Sequence, residues 1–99
     1  MTQISLKTVL WIGSSLNDLR EFHEDVHDIM GYALYLAQTG GKYQFAKPLK
    51  GFGSAKVLEI TDDYDGDTYR AVYTVKFADT VYVLHAFQIL PRGKKNEAI

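Results

Sequence analysis

An α+β domain, with one sheet covered by helices on a single side, is the fold class the sequence predicts, and three observations carry it. A β-branched segment comes first, a long stretch of apolar residues spaced at three and four follows, and alternating segments joined at Asp65-Gly66 come after. With 99 residues, 46% apolar and 23% charged, the chain has the size and composition of a single domain spanning residues 1–99. That size and composition suit one core buried without covalent staples.

Lys7 to Ile12 is rich in β-branched and aromatic residues and stops at Gly13-Ser14-Ser15, which predicts an N-terminal strand. Ser15 followed by Asp18 predicts a helix start, with the Ser15 hydroxyl as cap and the carboxylate at the positive end of the dipole. Leu16, Leu19, Phe22, Val26, Ile29, Met30, Ala33, Leu36 and Ala37 then form one apolar stripe, and Gly40-Gly41 supplies the stop. Acids and His between Phe22 and Glu24 predict a break, giving a short helix and a longer one. Lys42 to Ala55, with Pro48, Gly51 and Gly53 and no period, reads as a loop.

Lys56 to Asp62 runs into the hairpin dipeptide Asp65-Gly66. In the next segment, Thr68 to Phe77, alternation assigns Tyr69, Ala71, Tyr73, Val75 and Phe77 to the covered face and Arg70, Val72, Thr74 and Lys76 to the open one. Val81 to Phe87 is the last predicted strand, with His85 near its end.

The formal charge of −1 hides a sorting of 11 basic and 12 acidic residues. Acids crowd between Asp18 and Asp28 and again between Glu59 and Asp67. Lys42, Lys47, Lys50 and Lys56 form one basic block, and Arg70, Lys76, Arg92, Lys94 and Lys95 dominate another. If the blocks meet in space they form a site for a polyanion; otherwise they are solvated side chains on a loop and a tail. Zero cysteines exclude disulfides, cysteine metal sites and a thiol nucleophile, and suit a reducing compartment. The apolar runs are far shorter than the ~20 residues of a membrane span, so a cytoplasmic protein without a membrane partner is expected.

Three literal motifs are read as accidental. His23-Glu24-Asp25-Val26-His27 satisfies a zinc-protease pattern, but its histidines fall on the edge of the apolar stripe and no third ligand follows at family spacing. Asp63 to Asp67 has the alternating oxygens of a calcium loop without the closing Glu, since Thr74 occupies that position. Gly51 and Gly53 lack the Lys-Ser/Thr of a phosphate loop. No metal and no cofactor is therefore expected.

What remains is Lys47, Lys50, Arg70 and His85. RNA cleavage through its own 2′-hydroxyl needs a proton acceptor, a proton donor for the leaving oxygen and positive charge beside phosphorus, all of which Lys, Arg and His can supply. The competing expectation pairs Arg70 with a carboxylate and leaves His85 satisfied at a strand end.

Leu10-Trp11-Ile12-Gly13-Ser14-Ser15, Gly31-Tyr32-Ala33-Leu34, Ala46-Lys47-Pro48-Leu49-Lys50-Gly51, Tyr69-Arg70-Ala71-Val72-Tyr73 and Val83-Leu84-His85-Ala86-Phe87-Gln88, in this order, resemble the phage-derived, HigB-type branch of the RelE/ParE toxin superfamily. The resemblance spans about positions 7 to 88. It implies a RelE-like fold, with an N-terminal strand and two helices packed on one face of an antiparallel sheet. It also implies a toxin that cleaves mRNA, usually on the ribosome, silenced by a helix-turn-helix (HigA-type) antitoxin. Arg70 matches the basic residue that contacts the reacting phosphate, Lys47 and Lys50 match the basic loop, and His85 matches a position bordering the site. Lys42, Lys56, Lys76, Arg92, Lys94 and Lys95 are the further candidates for RNA contact.

Residues 89–99 depart from the pattern and are expected to be disordered. Where relatives carry a dibasic pair this chain has Ile89-Leu90, with Arg92, Lys94 and Lys95 following. That departure keeps open a non-cleaving member of the fold, either a degenerate toxin that only binds antitoxin or a ParE-like gyrase inhibitor.

Overall fold

The computed structural model describes residues 5–51 and 56–89. Strand β1 (Thr8–Trp11) leads into α1 (Ser15–Arg20) and α2 (Glu24–Gln38), and β2 (Lys47–Pro48), β3 (Val57–Tyr64), β4 (Asp67–Phe77) and β5 (Thr80–Ile89) follow. Among the described residues these strands form one five-stranded sheet in the order β1-β5-β4-β3-β2. The expected architecture is present, with one refinement: β1 runs parallel to β5, pairing Thr8 with Thr80 and Trp11 with Val83, while every other pairing is antiparallel.

The apolar stripe of α2 buries Val26, Met30, Ala33, Leu34 and Ala37, spaced to lie on one side of a helix. These residues pack with Leu19 and Phe22 against Ile60, Ala71, Tyr73, Val81 and Val83 of the sheet. The helix break falls at Glu21–His23, where the sequence locates it. His23 caps α2, its Nδ1 accepting the Asp25 N–H at 3.1 Å, and its ring stacks on Tyr64 at 3.9 Å. At the other end Gly40, at φ +90°, turns the chain so that the Gly41 N–H donates to the Leu36 carbonyl at 2.9 Å.

Four expectations need correction. Ser15 does not cap α1; the Ncap is Ser14, and the buried Ser15 hydroxyl donates to the Val83 carbonyl at 3.2 Å, tying α1 to β5. The Lys42 to Ala55 segment is not all loop, because β2 pairs Lys47 with Glu59 and Pro48 with Leu58. A proline here is tolerated because β2 is an edge strand. Alternation along β4 holds through Val75, which packs against the core, and fails at Phe77: register shifts at Val72/Tyr73 and Thr74/Phe77 leave it 47% exposed rather than covered by helices. Finally, Val72 and Thr74 are buried on the face that alternation leaves open; Thr74 donates its hydroxyl to the Lys56 carbonyl at 3.1 Å.

Asp65 and Gly66, at φ +52° and +85°, form the two-residue hairpin the dipeptide predicts. This turn sets the β3–β4 register that positions the site, opposing Thr61 to Arg70 and Glu59 to Val72.

Candidate functional site

Arg70 lies on the face of β4 away from the helices, between the core residues Tyr69 and Ala71. Residues directly opposed across antiparallel strands share a face, so Thr61 stands beside Arg70 and Glu59 lies on the diagonal. The Arg70 Nη1 meets both Glu59 carboxylate oxygens, at 3.3 and 3.4 Å. A single nitrogen straddling both oxygens at this length lacks the parallel fork of a tight arginine–carboxylate pair. The Arg70 Nε is buried without a hydrogen-bond partner among the described residues. Glu59 therefore restrains the guanidinium through Nη1, and with the Arg70 side chain 37% exposed the pair adds little stability.

Edge strand β2 brings Lys47 opposite Glu59. Lys47, Glu59, Thr61, Arg70 and Phe45 line one cleft of about 430 Å³. Two cations from different basic blocks thus meet across one carboxylate.

The other candidates are distributed around this cleft. Lys50 is exposed in the turn after β2 and does not line it. His85 is opposed to Val72, two positions along from the Arg70–Phe87 pair. That puts it on the same face as Arg70, at the about 7–8 Å of a diagonal neighbour. It is exposed, its ring 4.8 Å from that of Phe87, and it lines a second groove of about 320 Å³ with Asp18, Glu21 and Phe22. Lys56, at φ +55°, precedes Val57, which pairs with Thr74 four residues beyond Arg70. Lys76 lies over the Phe77 ring at 5.9 Å, near the far end of β4. Lys42 is exposed shortly after α2. Arg92, Lys94 and Lys95 lie outside the described residues.

Sequence reasoning did not single out Glu59, Thr61 or Phe45 for this cleft. For the first two a signal existed: once Asp65-Gly66 is read as a two-residue hairpin, counting outward opposes Thr61 to Arg70 and sets Glu59 diagonal to it. Phe45 had no such signal, because β2 was not expected. Among the described residues no group of three His, Asp or Glu is arranged to hold a metal ion, and His23 already uses Nδ1 as a helix cap. No helix among them is long and apolar enough to cross a membrane.

Residues 17–89, well over half of the chain, match the family model described as Phage derived protein Gp49-like (DUF891). The chain is a Gp49-like protein. No curated protein matches the sequence. The fold of this Gp49-like chain is that of RelE toxins. It superimposes on the isolated RelE toxin of E. coli with a TM-score of 0.65 at 19% identity, covering 89% of this chain and 88% of that one. The intact E. coli RelBE toxin–antitoxin complex matches at 0.63 and 18% identity, covering 86% and 99%. The RelBE2 complex of Mycobacterium tuberculosis matches at 0.54 and 17% identity, covering 92% and 100%. The phage-derived branch that the sequence motifs resemble is thus met by the Gp49-like family match, and the RelE-like fold by the solved structures.

Proposed function

We propose that this protein is the toxin of a type II toxin–antitoxin system, a metal-independent endoribonuclease that cleaves mRNA on the ribosome. The observation that carries this reading is the union of Lys47 and Arg70 in one cleft on the helix-free face. The RelE-type fold supports it, and two of the matching structures are complexes with an antitoxin. The HigA-type, helix-turn-helix character of the partner rests on the sequence resemblance.

In this mechanism the 2′-hydroxyl loses its proton and attacks the adjacent phosphorus, and the 5′-oxygen leaves as it gains a proton. Negative charge grows on the phosphoryl oxygens in between. Arg70 stabilises that charge, exchanging its long contact with Glu59 for shorter ones to phosphate. Lys47 and Lys50 share positioning and proton transfer, and His85 is the acid or base nearest in chemistry to the task. Induction of the wild type in cells should arrest growth and create new mRNA ends. Arg70→Ala should lower cleavage by about 10²–10³-fold with an unchanged thermal melt. Equal growth and no new ends in both strains would sink the reading.

One observation favours a second reading. Glu59 already engages Arg70, as it would in a non-cleaving member that keeps only antitoxin binding. Absence of toxicity with retained antitoxin affinity would select it; DNA-damage signalling without mRNA loss would select gyrase inhibition.

A further inference from the structure

Phe45 is the most exposed large apolar side chain among the described residues, at 57%, and it sits on the wall of the cleft that holds Lys47 and Arg70. Its neighbour Ala46 is 2% exposed and anchors the segment to the core, the Ala46 N–H donating to the Tyr43 carbonyl at 2.9 Å. Phe45 is thus carried outward by a fixed backbone. Its ring is braced from the side: Tyr43 lies 5.5 Å away at 72°, and Tyr32 lies 6.1 Å from Tyr43 at 88°. An aromatic ring ordered by edge contacts while largely exposed loses little further freedom when something stacks on it.

Charge decides what that something is. The segment reads Lys42-Tyr43-Gln44-Phe45-Ala46-Lys47-Pro48-Leu49-Lys50, with cations interleaved among aromatics and no acid. This is the pattern of proteins that track a single-stranded backbone with positive charge and stack its bases on rings. A protein strand would find no acid on this segment to answer its own cations, whereas a phosphate held by Lys47 and Arg70 carries an unstacked base within reach of the cleft wall. We propose that Phe45 is a stacking platform for a nucleobase adjacent to the phosphate in the Lys47–Arg70 cleft, and that Tyr43 and Tyr32 hold it in place. The inference rests on the ribonuclease reading and deepens it. It makes the ligand single-stranded RNA with its bases splayed, and makes Phe45 a determinant of where along that strand the enzyme acts.

The test uses the full chain and a short single-stranded 2′-O-methyl oligoribonucleotide, which cannot be cleaved through its 2′ position, at fixed salt. A series of such strands carries one abasic site at successive positions. Phe45→Ala and Phe45→Leu should each weaken binding roughly 5- to 100-fold, Phe45→Trp should restore it, and all three should keep the wild-type melting temperature. At one position the abasic strand should bind wild type and Phe45→Ala equally, identifying the stacked base. Wild-type affinity in Phe45→Ala, with affinity lost in Arg70→Ala, would overturn the platform and leave the ribonuclease reading standing. No wild-type affinity for the strand would overturn the platform, whereas the ribonuclease reading falls only if induction leaves growth and mRNA ends unchanged. Unchanged RNA affinity with weakened antitoxin binding in Phe45→Ala would mark the ring as a protein contact instead, and would also overturn the inference.

Discussion

The two faces of β4 answer to different rules. Toward the helices, Tyr69, Ala71 and Tyr73 are buried in a continuous apolar layer, where each side chain is constrained by volume. Away from them, Arg70 meets Glu59 over a long contact and Lys47 across an open cleft, where charge and donor geometry matter and volume does not. Adjacent residues of one strand therefore do separate work. A change on one side should leave the other side's property intact.

The sharpest way to break that separation is a core truncation. Ile60 is fully buried and opposed to Ala71, so Ile60→Ala should cost about 2–5 kcal/mol, read as a fall in the denaturant midpoint. Any activity lost should return in proportion to the folded fraction. Activity lost from fully folded protein would show that the two faces are coupled.

A smaller effect is expected at Tyr73, whose hydroxyl is buried with no hydrogen-bond partner among the described residues. Burial pushes its pKa up to about 12, so the group stays protonated at neutral pH. Tyr73→Phe removes an unsatisfied polar group at constant shape and should stabilise by about 1 kcal/mol, raising the melting temperature by about 4–8 °C. Cleavage should not change, although Arg70 lies on the same strand.

The smallest expected effect sharpens the contrast through pH. Burial, and secondarily the neighbouring Asp63 carboxylate, raise the Asp62 pKa above 3.8, against an opposing backbone hydrogen bond. The folded protein then holds this proton more tightly than the unfolded chain. Its contribution to stability is present below the unfolded value and is lost as pH rises through the raised one. Asp62→Asn should therefore stabilise modestly at neutral pH, less than Tyr73→Phe. The gain should vanish below about pH 3.8, as seen in denaturant midpoints across pH.

What could be read from the sequence was local. The helix break before Glu24, the Asp65-Gly66 hairpin and the alternation from Tyr69 to Tyr73 each depend on a few consecutive residues, and each was legible. The pairing of β1 with β5, the two-residue β2 and the Ser15 hydroxyl bond to Val83 depend on residues distant in the chain, and no short-range pattern encodes them. The second register shift, which leaves Phe77 exposed, is of the same kind. The candidate site divides along the same line. Arg70 was legible on its strand and Lys47 by its charge, whereas their meeting across Glu59, and the presence of Phe45, required the edge strand to be known.

The parallel bond between β1 and β5 carries a consequence for biosynthesis. Thr8 to Trp11 emerge early during translation, yet their partners Thr80 to Val83 come from the last strand of the sheet. Contacts between such distant segments form late and slow folding. The β4 that bears Arg70 likewise waits for β5 to complete its flank. A nascent chain therefore cannot close this sheet around β4 until nearly all of β5 has been synthesised.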